Sequence, residues 1–170
     1  MSSSSSGPTS GSAIPARLLR WTFLAALAAF VTATAIKALR APWAIDDFPE
    51  ELLIKAELLP VIFPIHMVTG GLALLLVPAT LLLNDRPRWH RPVARLAAID
   101  VALAGITAFP VAWLEPVTIV SALGFSVQGA LWLVLLGLGI WHIRHGRREA
   151  HRACMLLMAA ATSGAMFFRI

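Results

Sequence analysis

The chain has no tyrosine and only one cysteine, Cys154. A lone cysteine excludes an intramolecular disulfide and any CxxC redox or metal pair. Cys154 reads instead as a small interior residue near a helix start. With no tyrosine, aromatic anchoring at a membrane interface falls to the six tryptophans, several of them near the ends of apolar runs. Charge is also scarce, at 14% of 170 residues, against about 25% in soluble domains. No nucleophile triad, phosphate-binding loop, dinucleotide fingerprint or HExxH zinc pattern is present.

What is abundant is apolar side chain, 58% of the residues, with a mean hydropathy of +0.77. A water-soluble fold of this size has too little interior for that surface, so a bilayer is the solvent for most of the chain. The net charge of +5 does not point to nucleic acid. The basic residues sit in turns between apolar runs, where the positive-inside rule accounts for them.

Residues 1–16 are rich in Ser, Gly and Pro without a charged side chain and read as a disordered tail. Arg17 and Arg20 then precede an apolar run ending at Lys37. The run fits a signal peptide with Ala33-Thr34-Ala35 as cleavage site, or an uncleaved first transmembrane helix, which is the reading adopted. Residues 37–57 form an acidic segment, in which Glu50 to Leu59 suits a short amphipathic helix on the external membrane surface. The expected architecture is an all-α polytopic transmembrane helix bundle in one domain, residues 17–170. Its five spans, near 18–37, 58–84, 94–114, 117–143 and 152–168, make a four-helix core plus an N-terminal helix. Pro60, Pro64 and Pro78 are the expected kink sites of the second span. Glu115-Pro116 reads as a tight external turn between the third and fourth.

Orientation follows from the basic residues. With the N-terminus and both arginine-rich turns inside, ten Lys and Arg lie inside and four outside. The reverse arrangement inverts that ratio, so the expectation is N-in, C-out, multi-pass in the inner (plasma) membrane.

The chain is organised around Arg86-Pro87-Arg88-Trp89-His90-Arg91-Pro92-Val93-Ala94-Arg95, echoed at Arg147-Arg148-Glu149-Ala150-His151-Arg152-Ala153-Cys154-Met155. Each is a basic turn carrying His-Arg and opening an ascending helix. The echo suggests a weak internal repeat, with Thr69-Gly70-Gly71 matched by Val127-Gln128-Gly129, although His66 has only Gly124 at its counterpart. Parallel helices starting on one side would bring His90 and His151 to similar depth. A transmembrane b-type haem needs two neutral imidazoles so placed. Arg91 and Arg152, with Arg95 and Arg147, would pair with propionates, since guanidinium grips carboxylate bidentately. Trp89 and Met155 would line the ring. The competing account of His-Arg at a helix start is an anchor to lipid phosphate.

Four further groups stand out. His66 lies within the second span, suited either to a ligand role or to a bond with Thr69, Ser126 or Gln128. Asp100 is the only acid within a span and sits about two and a half turns past His90; a bare carboxylate at that depth is costly, so it is expected neutral or paired, with Arg95 one partner and a proton relay one role. Arg169 ends the fifth span at the outer surface, facing a headgroup, a quinone carbonyl or the acidic segment. His142 and His145 could join His151 in a metal cluster on the inner rim, but no carboxylate or further cysteine stands at metal spacing.

His66-Met67-Val68-Thr69-Gly70-Gly71, Trp89-His90-Arg91 with Arg95, Ala150-His151-Arg152 with Met155, and Phe168-Arg169 together resemble the bacterial predicted membrane protein family of unknown function 2306. The resemblance covers about residues 20–170. It implies a small multi-span membrane protein with recurring histidines, here His66, His90 and His151, and a terminal arginine, here Arg169. Where that family usually has glycine, this chain has Ala94. The Trp-His-Arg-x-x-x-Arg turn is also similar to one in cytochrome b561-type haem proteins. That similarity implies one haem b between the third and fifth helices and an electron-transfer role, with a quinone or another redox carrier as partner. The alternative is a non-catalytic scaffold, or a lipid- or small-molecule-binding or transport protein, with structural histidines.

Overall fold

The computed structural model describes residues 16–114 and 118–167. The expected tail, the Glu115-Pro116 turn and Arg169 lie outside the described residues. Among the described residues the chain is all helical: α1 Ala16–Arg40, a 3₁₀ turn Ile45–Asp47, α2 Glu50–Leu58, α3 Ile62–Leu82, α4 Pro87–Trp113, α5 Ile119–Arg144 and α6 Arg148–Phe167. Among the described residues four helices, α1 from Leu18 together with α3, α4 and α5, are long and apolar enough to cross a membrane. Arg148, Glu149 and Arg152 occupy the first turns of α6.

Local chemistry explains the ends. Pro87 stands at the first position of α4, where its missing N–H costs nothing. The segment expected as a basic turn is therefore mostly helix, and the turn itself is confined to residues 83–86. Thr118 and Ser121 form a reciprocal capping box at the start of α5. Gly146, at φ 73°, supplies the left-handed residue that reverses the chain between α5 and α6. The second expected span starts later, at Ile62: the short expected helix is α2, ending at Leu58, and Pro60 sits in the break before α3.

The described residues fall into two compact units, one up to Phe30 and one from Val31 on. Within the second, α3 packs on α4, α4 on α5 and α5 on α6, with a lighter contact closing α6 onto α3. The order makes a four-helix ring with α4 and α6 across from each other. Its core joins Ala73 and Val77 of α3, Val101 and Ala104 of α4, Trp132, Leu135 and Leu136 of α5, and Met158 of α6. Outward faces keep Ile99, Ile106, Val127, Val134 and Leu138 exposed, a surface suited to lipid.

Glycines set the closest approaches. A Cβ on Gly71 would lie 3.0 Å from the Ala35 carbonyl oxygen of α1. One on Gly129 would lie 3.1 Å from the Gly105 carbonyl oxygen of α4. Small residues let membrane helices gain dispersion contact where lipid offers no hydrophobic drive.

The acidic segment is fastened to the bundle by a residue that its charge disguised. Lys55 of α2 is 7% exposed. Its ammonium donates to the carbonyl oxygens of Val111 at 3.0 Å and Leu114 at 2.6 Å. These belong to the last turn of α4, whose carbonyls lack helical partners and carry the negative end of the dipole. Beside it Leu52, Ala56 and Leu59 pack with Phe63 and Met67. Lys55→Met keeps the stem and removes three donors. It should lower stability in detergent by about 2–4 kcal/mol, the scale of two charge-assisted bonds left unmade. A thermal unfolding midpoint equal to that of the parent protein would show that the ammonium does not hold α2.

Candidate functional site

His90 and His151 occupy equivalent places. Each is the fourth residue of its helix, after Pro87 and Arg148 respectively. Each also lies on the inward stripe: seven residues, or nearly two turns, separate His90 from buried Ala97 and His151 from buried Met158. Both rings are half-buried. His90 Nδ1 meets the Thr80 carbonyl oxygen of α3 at 2.9 Å. His151 Nδ1 meets the Gly139 carbonyl oxygen of α5, also at 2.9 Å. A carbonyl only accepts, so Nδ1 carries the proton in each neutral ring, and Nε2 keeps the lone pair. Among the described residues Nε2 of neither ring has a hydrogen-bond partner.

The two carbonyls are themselves matched. Thr80 follows core residue Val77 by three positions, and Gly139 follows core residue Leu136 by three. Both therefore lie about one turn beyond the same core toward the arginine-rich end. Gly139 is open enough there for close packing. A Cβ on it would strike the terminal carbon of Met155 and stand 3.6 Å from His151 Nδ1.

The remaining expected residues fall as follows. Arg91 and Arg152, one residue after each histidine, are exposed at the same end. Trp89 is 60% exposed and turned from the core, whereas Met155 packs against it. His66 contacts Thr107 Oγ1 of α4 at 3.2 Å. The Thr107 hydroxyl donates to the Leu103 carbonyl at 2.7 Å, so His66 Nδ1 is the donor between them. The partners expected for His66 are engaged elsewhere: Thr69 donates to the Ile65 carbonyl within α3, Ser126 accepts from Trp113 Nε1, and Gln128 donates to the Ala161 carbonyl of α6. His145 bonds the Trp141 carbonyl of its own helix, and among the described residues no group of three His, Cys, Asp or Glu side chains could hold a metal ion.

Asp100 is 5% exposed on the inward face of α4. Among the described residues its Oδ2 is enclosed without a hydrogen-bond partner, as are Trp132 Nε1 and His142 Nδ1. Arg95 is exposed and makes no ion pair with it among the described residues. Sequence reasoning missed Lys55, because a lysine among acids looks like a surface charge. It also missed the carbonyl partners of the two histidines, since a carbonyl has no residue-type signature.

Compared with known proteins, residues 63–170 match a family model described as Predicted membrane protein (DUF2306). No curated protein and no solved structure matches the chain.

Proposed function

The chain belongs to the family of predicted membrane proteins DUF2306, and on that premise we propose a one-haem electron carrier of the inner membrane. The observation that carries the reading is the matched pair of imidazoles on α4 and α6. Each Nδ1–H is fixed by a carbonyl, which holds the ring in the tautomer whose Nε2 ligates iron. The helices stand across the ring of four, so ligands on their inward stripes address the same interior. His90 and His151 would hold the iron, and exposed Arg91 and Arg152 would receive the propionates. Bound there, haem supplies one-electron transfer. The chain itself orients the two rings through their Nδ1 bonds. In the sequence repeat His66 has no imidazole counterpart, since Gly124 falls there, and the reading is of one haem.

In this reading α6 is a fifth span, entered from the arginine-rich side, and the topology is N-in, C-out with ten basic residues inside against four outside. The electron donor or acceptor is a quinol or quinone dissolved in the bilayer. A second reading has its own observation. The same two bonds join α3 to α4 and α5 to α6, which is what structural histidines in a membrane scaffold or lipid-binding protein would do.

An absorption spectrum separates the two. The detergent-purified chain mixed with haem should develop a Soret band that shifts on reduction, at one haem per chain. A spectrum indistinguishable from free haem leaves the histidines as fasteners and favours the scaffold.

A further inference from the structure

We infer that the cleft beside the last turns of α1 holds a membrane phospholipid with a primary-amine headgroup, a phosphatidylethanolamine in its commonest form; the inference rests on neither reading of the histidines. The cleft has a volume of about 460 Å³, within the ~300–1,000 Å³ of ligand sites. One wall is a single stripe of α1, with Ala33, Ile36, Lys37 and Arg40 at i, i+3, i+4 and i+7. The other is Ala44, Asp47 and Phe48. It is brought back beside the helix where the N–H groups of Trp43 and Ala44 both donate to the Arg40 carbonyl at 3.0 Å. Both walls are anchored to the bundle. Ala38 and Ala41, on the adjoining face, are buried with Phe63 and Met67 of α3, and Ile45 and Phe48 pack on the same cluster.

Depth and charge choose the occupant. The apolar span of α1 ends at Arg40, so Lys37 and Arg40 stand at headgroup level. Ala33 lies ~10 Å deeper along the helix, among acyl chains. Trp43, 83% exposed, marks the same interface. Both cations are exposed, and among the described residues neither forms an ion pair or a side-chain hydrogen bond. Lys37 Nζ rests instead 5.3 Å from the centre of the Phe48 ring. A phosphodiester between them meets a guanidinium fork and a point charge. A purely anionic headgroup fits less well, because Asp47 lines the same cleft and Asp46 and Glu50 follow closely in the chain. A headgroup with an ammonium beside its phosphate answers all three charges, the phosphate on Lys37 and Arg40 and the ammonium on Asp47. Choline has no N–H to donate to that carboxylate, whereas a primary ammonium has three. A free phosphate ion would use neither Asp47 nor the apolar floor of Ala33 and Ile36.

The test uses the full chain in detergent. Dioleoyl phosphatidylethanolamine, phosphatidylglycerol and phosphatidylcholine are offered together at equal concentration, and the one-to-one adduct is read by native mass spectrometry. The ethanolamine lipid should give the strongest adduct. Lys37→Gln and Arg40→Gln should each weaken it about fivefold, the worth of one basic residue at a membrane surface. Asp47→Asn should turn the preference toward the glycerol lipid. Arg88→Gln and Arg148→Gln, beside the arginine-rich turns, should change nothing. All five replaced side chains are exposed, so none of the variants opens the core. Equal adducts for the three lipids, or an ethanolamine preference that survives in Asp47→Asn, would overturn the inference. So would equal losses in the Arg88 and Arg148 variants, or displacement of the lipid by inorganic phosphate at the lipid's own concentration.

Discussion

Replacing His151 by alanine is expected to abolish stable haem binding, and His90→Ala should do the same. Partners that only orient a metal-ligating histidine change affinity by about 10–100-fold, so loss of a ligand itself should exceed that range. The two variants should behave alike, because the two rings are built alike: fourth in their helices, inward-facing, and fixed through Nδ1 at 2.9 Å. Each variant also loses one hydrogen bond to the preceding helix, at a cost of about 1 kcal/mol. The comparison is therefore decisive. If haem affinity stays at the parent level in either variant while the melting midpoint falls by that small amount, the histidines only fasten hairpins. Pyridine haemochrome assay of the purified variants gives the stoichiometry, and thermal melts give the stability.

The second large effect concerns packing. Gly129→Leu should destabilise the bundle by about 3 kcal/mol, the upper end of what overpacking a tight interior costs. The contact is backbone on one side, since a Cβ there lies 3.1 Å from the Gly105 carbonyl oxygen and 3.2 Å from Ala108 Cβ. A backbone oxygen cannot rotate away as a side chain can, so the α4–α5 crossing must open. Gly124→Leu and Gly137→Leu are the matched controls, with nothing within 4 Å of either added Cβ. They should leave the melting midpoint within error of the parent. Equal losses in all three variants would mean that the crossing is not the sensitive point.

Much of this molecule was legible in one dimension. Apolar runs of about twenty residues separated by arginine-rich turns leave few options in a bilayer, because every backbone group must be satisfied within its own segment. Helix number and order followed, and so did the short amphipathic α2. Boundaries were less legible. α4 begins at Pro87, well before the apolar run, because a helix can continue past the hydrocarbon boundary once its first N–H groups meet water.

The site was read in part. His90 and His151 stood out as an echo, and their equivalence persists in three dimensions. Yet one partner of His66 was not foreseen. Thr69 was a natural choice at three residues' distance, but its hydroxyl already donates to the Ile65 carbonyl, and Thr107, 41 residues away, was not legible. Lys55 was counted with the external charges and is instead buried on the end of α4.

The sequence by itself determined the solvent, the helices and the chemical identity of the groups that can act. Hydropathy and charge are sums over neighbours along the chain, and a bilayer reads those sums directly. Only the tertiary structure decided which carbonyl fixes each imidazole, which lysine is buried and which carboxylate oxygen lacks a donor. Those outcomes depend on how helices far apart in the chain align across a few ångströms, and no local pattern encodes that distance.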